Sequence, residues 1–436
     1  MLTKSDIYSC PGLLGDVATY IHDSIETSQP GTALAAAISL MGALLSKRVE
    51  STTGLQPHVY TGIIAGTGTG KTTAQNLIKN VVSKSGIPNL LMGNPASASG
   101  LTNSLGRSSR QLFIWDEMGH AISAYSKSAN SSESLILSKV LKLFSADGSS
   151  IIGDEYANKG RVDIEGGAYL SIFGASTPVR FYESLNQNFI HDGYLPRFLL
   201  FFENPEMEYQ ITRNEQKELS ETTKAQCDDE ENYILERMRY IEKWWPKSEE
   251  GDLASVAIDS MEKKKLQIKI DLEKVVGPKN GVVRTYNYKE EIRELKKRAT
   301  TQIEKDFLNR RIEYVIKLCL CTISEDGLFD PKNISWAISL VTRIQDEMIR
   351  NCRDYIYPNE RVREHNRILD KFAELMAVGQ TLTKSQVFHK SQRWCSGRER
   401  HEAISSLIES GCWEEIKSDY DPITSRKKST TYKRIE

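Results

Sequence analysis

The chain has 436 residues, a length that exceeds what one hydrophobic core serves and predicts two to four domains. Its 57 Lys plus Arg nearly cancel 58 Asp plus Glu, which excludes a polycation and confines any nucleic-acid surface to a local patch. Seven cysteines without a CxxC pair, no basic-then-apolar leader and no membrane-length apolar run predict a soluble, cytoplasmic protein in a reducing compartment.

Residues 1–50 read as a helical module. Leu13, Leu14, Val17, Ile21 and Ile25 recur at helical spacing, and Pro30-Gly31 break to a second helix from Thr32 to Leu45. The module is expected ahead of the next domain rather than within it, with packing and subunit contact as its roles.

Residues 51–205 carry the densest chemistry. An apolar, β-branched run from Val59 enters a glycine loop, followed by helix-forming residues from Ala74 to Val82. That context is the one a phosphate-binding P-loop requires. Gly66, Gly68 and Gly70 let successive backbone N–H groups point inward as an anion nest at a helix N-terminus. Lys71 places a charge on the β- and γ-phosphates of ATP, and the Thr72 hydroxyl suits Mg²⁺. The expected nucleotide-binding set is therefore Ala65, Gly66, Thr67, Gly68, Thr69, Gly70, Lys71, Thr72 and Thr73, with Ala65 standing at the motif's first glycine. Gln111 to Trp115 then predict a strand that delivers Asp116 and Glu117. On a strand neighbouring that of the P-loop, Asp116 would reach the Mg²⁺ shell and Glu117 would orient and deprotonate the attacking water.

A hairpin is predicted around Asn158-Lys159-Gly160, with Lys159 and Arg161 either touching a phosphate backbone or simply solvated. Ala168 to Ala175 predict a central strand ending in Ser176-Thr177-Pro178, whose tip would meet the γ-phosphate or lytic water through Thr177 or Ser176. Gly193-Tyr194-Leu195-Pro196-Arg197-Phe198 leads into a further strand, Leu199 to Phe202. Arg197 suits a finger that reaches a neighbouring subunit's nucleotide, with Arg180 as competitor and a plain surface arginine as the alternative.

Residues 206–356 are rich in Glu, Lys and Leu and predict long helices, Tyr233 to Trp245, Leu253 to Val275 and Lys289 to Lys317, with a turn at 277–281. Arg310 or Arg311 could sense the γ-phosphate from a helical lid, though paired arginines also arise by chance. Cys319 and Cys321 read as core filling. Residues 357–436 predict three helices and two short strands, Trp413 to Ile416 and Ser429 to Ile435, the pattern of a winged helix-turn-helix. Arg393, Arg398 and Arg400, with Arg426, Lys427, Lys428, Lys433 and Arg434, make a candidate DNA-backbone footprint; winged helices also serve as protein–protein modules.

Pro11-Gly12-Leu13-Leu14-Gly15, the spacing to Gly70-Lys71-Thr72, Trp115-Asp116-Glu117, Gly193 to Phe198 and Arg310-Arg311 resemble phage and prophage replicative-helicase ATPases, a domain-of-unknown-function family often fused to primases. The resemblance covers roughly residues 10–350. It implies an α/β P-loop core, AAA+-like and close to superfamily-3 and minichromosome-maintenance helicases, forming a hexameric ring on DNA. It also casts Arg197 as trans finger, Thr177 as sensor, Arg310 or Arg311 as lid sensor, and Lys159 and Arg161 on a pore hairpin. This chain carries no primase domain, so a primase or other replication protein is an expected partner. The expected function is an Mg-ATP-driven DNA helicase or translocase, with single strand through the ring and duplex at the winged helix. A replication initiator or helicase loader that does not unwind, or a defence-system ATPase, are the alternatives.

Overall fold

Runs of large apolar and β-branched residues form strands where both their faces find cover, and this requirement builds the centre of the chain. The computed structural model describes residues 2–435 apart from 28, 128–131, 146–150, 152–161, 186–192, 204–209, 244–265, 280–281, 300, 354–367, 370, 373 and 417–429. They divide into two units, 1–354 and 355–436.

The first unit begins with helices α1 (Lys4–Tyr8), α2 (Gly12–Asp23) and α3 (Pro30–Leu45) and a short strand β1 (Val49–Ser51). β2 (Tyr60–Ile64) leads through the glycine loop into α4 (Lys71–Lys84). Then come β3 (Leu91–Met92), α5 (Ala98–Arg107), β4 (Arg110–Trp115), α6 (Met118–Lys127), α7 (Ser132–Phe144), β5 (Tyr169–Ser176), α8 (Pro178–Ser184) and β6 (Leu199–Phe202). Five of these strands form one parallel sheet in the order β3-β4-β5-β2-β6. Every residue of β2 and β5 is buried, as central strands of a covered sheet require. The chain is thus mixed α/β with a parallel sheet among helices.

One expectation about that sheet is corrected. β4, which delivers the two acids, does not neighbour β2; β5 lies between them, pairing Ile64 with Ser176 on one side and Trp115 with Gly174 on the other. Complete burial of β5 suits it to the middle place, while the half-buried residues of β4 suit it to a place nearer the edge.

The N-terminal helices are also closer to this sheet than expected. All of α3 is buried, and it packs on β2, β4, β5 and β6. Its small residues permit the approach: a Cβ on Gly42 would lie 2.8 Å from Pro57 O. Ser39 Oγ lies 2.5 Å from Thr61 Oγ1 of β2 and donates to Ile172 O of β5 at 3.1 Å. α3 is therefore a layer of the sheet's own core, not a separate module before it.

Beyond β6 the unit continues with α9 (Arg213–Leu219), α10 (Glu221–Lys243), β7 (Leu266–Ile268), β8 (Val275–Lys279), β9 (Val282–Tyr286), α11 (Tyr288–Arg298), α12 (Gln302–Cys321) and α13 (Asn333–Arg353). The helix expected over 253–275 is overturned in its described part. Leu266–Ile268 pairs in parallel with β1, and Val275 opens an antiparallel hairpin, β8–β9, that holds Gly277 and Pro278 within a strand. The helix expected over 289–317 is two helices, because Thr301 caps a new start by accepting from Glu304 N at 3.2 Å. Cys319 and Cys321 are fully buried in α12, as core filling.

The second unit holds β10 (Thr381–Thr383), α14 (Lys384–Ser391), α15 (Gly397–Glu409), β11 (Trp413–Ile416) and β12 (Thr431–Arg434). The sheet has three antiparallel strands, β10-β12-β11, one more than the two expected. Phe372, Trp413 and Tyr432 centre its core. Thr383 caps α14 as expected, accepting from Gln386 N at 3.3 Å.

Candidate active site

All five strands of the sheet run parallel, so the residues just past their C-terminal ends collect at a single edge. After Ile64 comes the glycine loop, after Trp115 the acid pair, and after Ser176 the residue Thr177. These three converge on a cavity of about 670 Å³.

The glycine loop forms one wall with Thr67, Gly68, Thr69, Gly70, Lys71, Thr72 and Thr73. Two of its glycines need their freedom: Gly68 (φ 82°) and Gly70 (φ 78°) lie in the left-handed region. At Gly70 a Cβ would also lie only 2.4 Å from Ile25 Cγ2. Gly70 is the N-cap of α4, so the first amides of that helix point toward the cavity, where helix ends attract anions. Lys71 folds back over the loop, its Nζ donating to Ala65 O at 2.7 Å and also to Gly66 O. Burial lowers the Lys71 pKa, and the nearby Asp116 carboxylate opposes that shift. Ala65 and Gly66 form the loop's base, with Ala65 N donating to Ser176 O at 3.1 Å.

Asp116 and Glu117 face the loop across the cavity. They sit in a tight turn between β4 and α6, where Glu117 N donates to Asp116 Oδ1 at 3.1 Å. Ser176, Thr177 and Arg180 complete that side. Thus Lys71, Thr72, Asp116, Glu117, Thr177 and the loop from Thr67 to Thr73 share one cavity.

Three cavity residues escaped the sequence reading because they belong to the α2–α3 turn. Ile25, Glu26 and Thr27 line the cavity beside the glycine loop. Gln210 fixes this turn, its Nε2 donating to His22 O at 2.8 Å and Ile25 O at 2.9 Å. Among the described residues, the buried Thr27 Oγ1 has no hydrogen-bond partner. No local motif marks such a turn; only the packing of α3 on the sheet brings it there. His120, on the first turn of α6, was likewise missed.

Of the expected arginines, Arg180 lines this cavity and Arg197, Arg310 and Arg311 do not. Arg197 precedes β6 and so lies at the opposite edge of the sheet, where the strands begin. With β2 five residues long, the two edges are about 13 Å apart. Arg197 Nη1 donates to Gly193 O at 2.8 Å, and burial together with the Arg310 guanidinium lowers its pKa. Arg310 Nη1 donates to Glu313 Oε2 at 2.7 Å and its guanidinium lies 5.6 Å from the Phe144 ring centre. The lid role expected of Arg311 within its own chain meets a physical obstacle. Arg311 is buried, with Nε donating to Gln345 Oε1 at 2.9 Å and Nη2 to Asp346 Oδ1 at 2.6 Å.

In the second unit Arg398 is exposed and donates to Glu402 Oε1 at 2.9 Å. Arg400 is corrected as a DNA contact: it is buried, packs 4.8 Å from the Phe388 ring centre and donates to Cys395 O at 3.2 Å. Lys159, Arg161, Arg426, Lys427 and Lys428 lie outside the described residues.

No protein-family model and no curated protein matches the chain. Among the described residues, no helix is long and apolar enough to cross a membrane.

Proposed function

We propose that this chain is an ATP-dependent motor on DNA, with a P-loop core of AAA+-like type and a C-terminal winged helix, serving replication of a phage or mobile element. The observation that carries the reading is the convergence of the loop 67–73, Asp116-Glu117 and Ser176-Thr177 on one cavity. A loop of inward amides at the start of α4 suits a triphosphate, and Lys71 is placed to leave its loop carbonyls for phosphate oxygens. Thr72 and Asp116 offer one hydroxyl and one carboxylate across the cavity, hard oxygen donors of the kind Mg²⁺ takes alongside phosphates and water. When bound, Mg²⁺ neutralises charge on the β- and γ-phosphates. Glu117 accepts the proton of the attacking water, and Thr177 or Ser176 hydrogen-bonds the γ-phosphate.

The polar tip of β5, inserted between the loop strand and the acid strand, supports the AAA+-like reading of the sheet. Arg197 at the far edge is out of reach of its own cavity, which fits a finger serving a neighbouring copy in a ring. Arg180, by contrast, lines the chain's own cavity and suits contact with the γ-phosphate in cis. The exposed Arg393 and Arg398 beside the start of α15 support DNA-backbone contact by the second unit.

The test is Mg-ATP hydrolysis with and without single-stranded DNA, alongside strand displacement on a fork. Wild type is expected to hydrolyse ATP faster with DNA and to displace the strand, while Lys71→Ala and Glu117→Gln each lose turnover by roughly 100-fold or more. Turnover surviving in Glu117→Gln would overturn the role of that residue. DNA binding and slow hydrolysis without displacement would favour a loader or initiator, and turnover indifferent to DNA would favour a defence ATPase.

A further inference from the structure

His120 stands beside Glu117 in the cavity, and the proposed hydrolysis has so far made no use of it. Its Nε2 lies 3.1 Å from Glu117 Oε2. An ionised carboxylate only accepts hydrogen bonds, so a bond between the two requires the proton on Nε2. Both side chains are well exposed, His120 at 58% and Glu117 at 74%, so neither is fixed by packing. The backbone, however, is specially built. Glu117 adopts φ 50°, a left-handed conformation that among described non-glycine residues recurs only at Lys47. The turn is pinned from both sides: Glu117 N donates to Asp116 Oδ1 at 3.1 Å, and His120 N donates to Glu117 O at 2.9 Å.

Gly119 ties this turn to the next strand. A Cβ there would lie 2.5 Å from Ser176 Oγ and 3.3 Å from Arg180 Cβ, so the first turn of α6 sits directly on the tip of β5. His120 is thereby fixed at its backbone against the residues that would meet the γ-phosphate, while its ring lies beside the acid. Residues in strained conformations persist where the surroundings over-determine them, and they gather at functional sites.

We propose that His120 is a positioning residue for Glu117, donating from Nε2 to the carboxylate and restricting it to rotamers that face the cavity. The inference rests on the hydrolytic reading of this cavity. A glutamate on an exposed turn samples several rotamers, and only those within hydrogen-bond reach of the lytic water act as base. His120 touches neither nucleotide nor water in this scheme; its effect passes entirely through Glu117.

The experiment compares full-length wild type, His120→Ala and His120→Gln in steady-state Mg-ATP hydrolysis, with equilibrium ATP binding measured alongside. The glutamine amide can donate from nearly the position of Nε2. For His120→Ala, kcat is expected to fall roughly ten-fold with KM and Kd little changed, and His120→Gln to recover most of the loss. An unchanged kcat in His120→Ala, a fall in binding that matches the fall in kcat, or a glutamine variant no better than alanine would each overturn the inference. Wild type binding ATP without turning it over would overturn the hydrolytic reading itself, and this inference with it.

Discussion

Glu203 stands one residue past β6, accepts a hydrogen bond from Thr32 N at the start of α3, and is half-buried. Burial pushes its pKa from the usual 4.5 up to about 7, with Glu347 adding to the rise and the α3 amides opposing it. Because the folded value lies above the unfolded one, the native chain binds more protons between them. Stability therefore falls as pH rises from about 4.5 to about 7, and the deficit persists above. Glu203→Gln keeps the acceptor and removes the charge. It should raise the thermal midpoint at pH 8, by an amount equivalent to about 2 kcal/mol, and change little at pH 5. Scanning calorimetry at the two pH values checks this, and an equal shift at both would contradict it. Residue type alone did not foretell such burial. Arg310 and Arg311 look alike in sequence, yet Arg311 is enclosed by Gln345 and Asp346 while Arg310 stays half-buried beside Glu313. Arg400, two residues from the exposed Arg398, is enclosed in the same way.

Elements whose chemistry is contiguous were legible: the strand, glycine loop and helix around 59–84, the acid-tipped β4, and the polar-tipped β5. Each announces itself within a dozen residues through pattern and glycine placement. Strand order was not legible, since nothing local states that β5 inserts between β2 and β4. The contribution of the α2–α3 turn to the cavity was hidden for the same reason: it depends on α3 lying against the sheet. The hairpin β8–β9 was read only as a turn at 277–281 between helices, because Gly277, Pro278 and Gly281 mark a turn, although Val275, Val276, Val282 and Val283 are β-branched. The break before α12 was readable in Thr301 and Glu304, three apart, as a reciprocal cap. Thr301→Ala should therefore destabilise the first unit by about 1 kcal/mol in denaturant titration. No change in midpoint would mean the helix start is fixed by packing instead.

For the whole molecule, Arg197 lies apart from the cavity of its own chain, and under the proposed function a neighbouring copy would bring it to the nucleotide. Arg197→Ala should retain ATP binding and lose turnover. Mixed with Lys71→Ala, it should regain part of the activity, because an intact cavity from the first variant can meet an intact arginine from the second. Mixtures no more active than either variant alone would assign Arg197 a structural role. Beneath this lies the claim that the glycine loop holds a triphosphate through Lys71. Equilibrium titration of Mg-ATP into Glu117→Gln and into Glu117→Gln/Lys71→Ala tests that claim most directly, because it isolates binding from turnover. Saturable binding by the first, weakened at least about ten-fold in the second, is the predicted result. Binding absent from both, or equal in both, would contradict it.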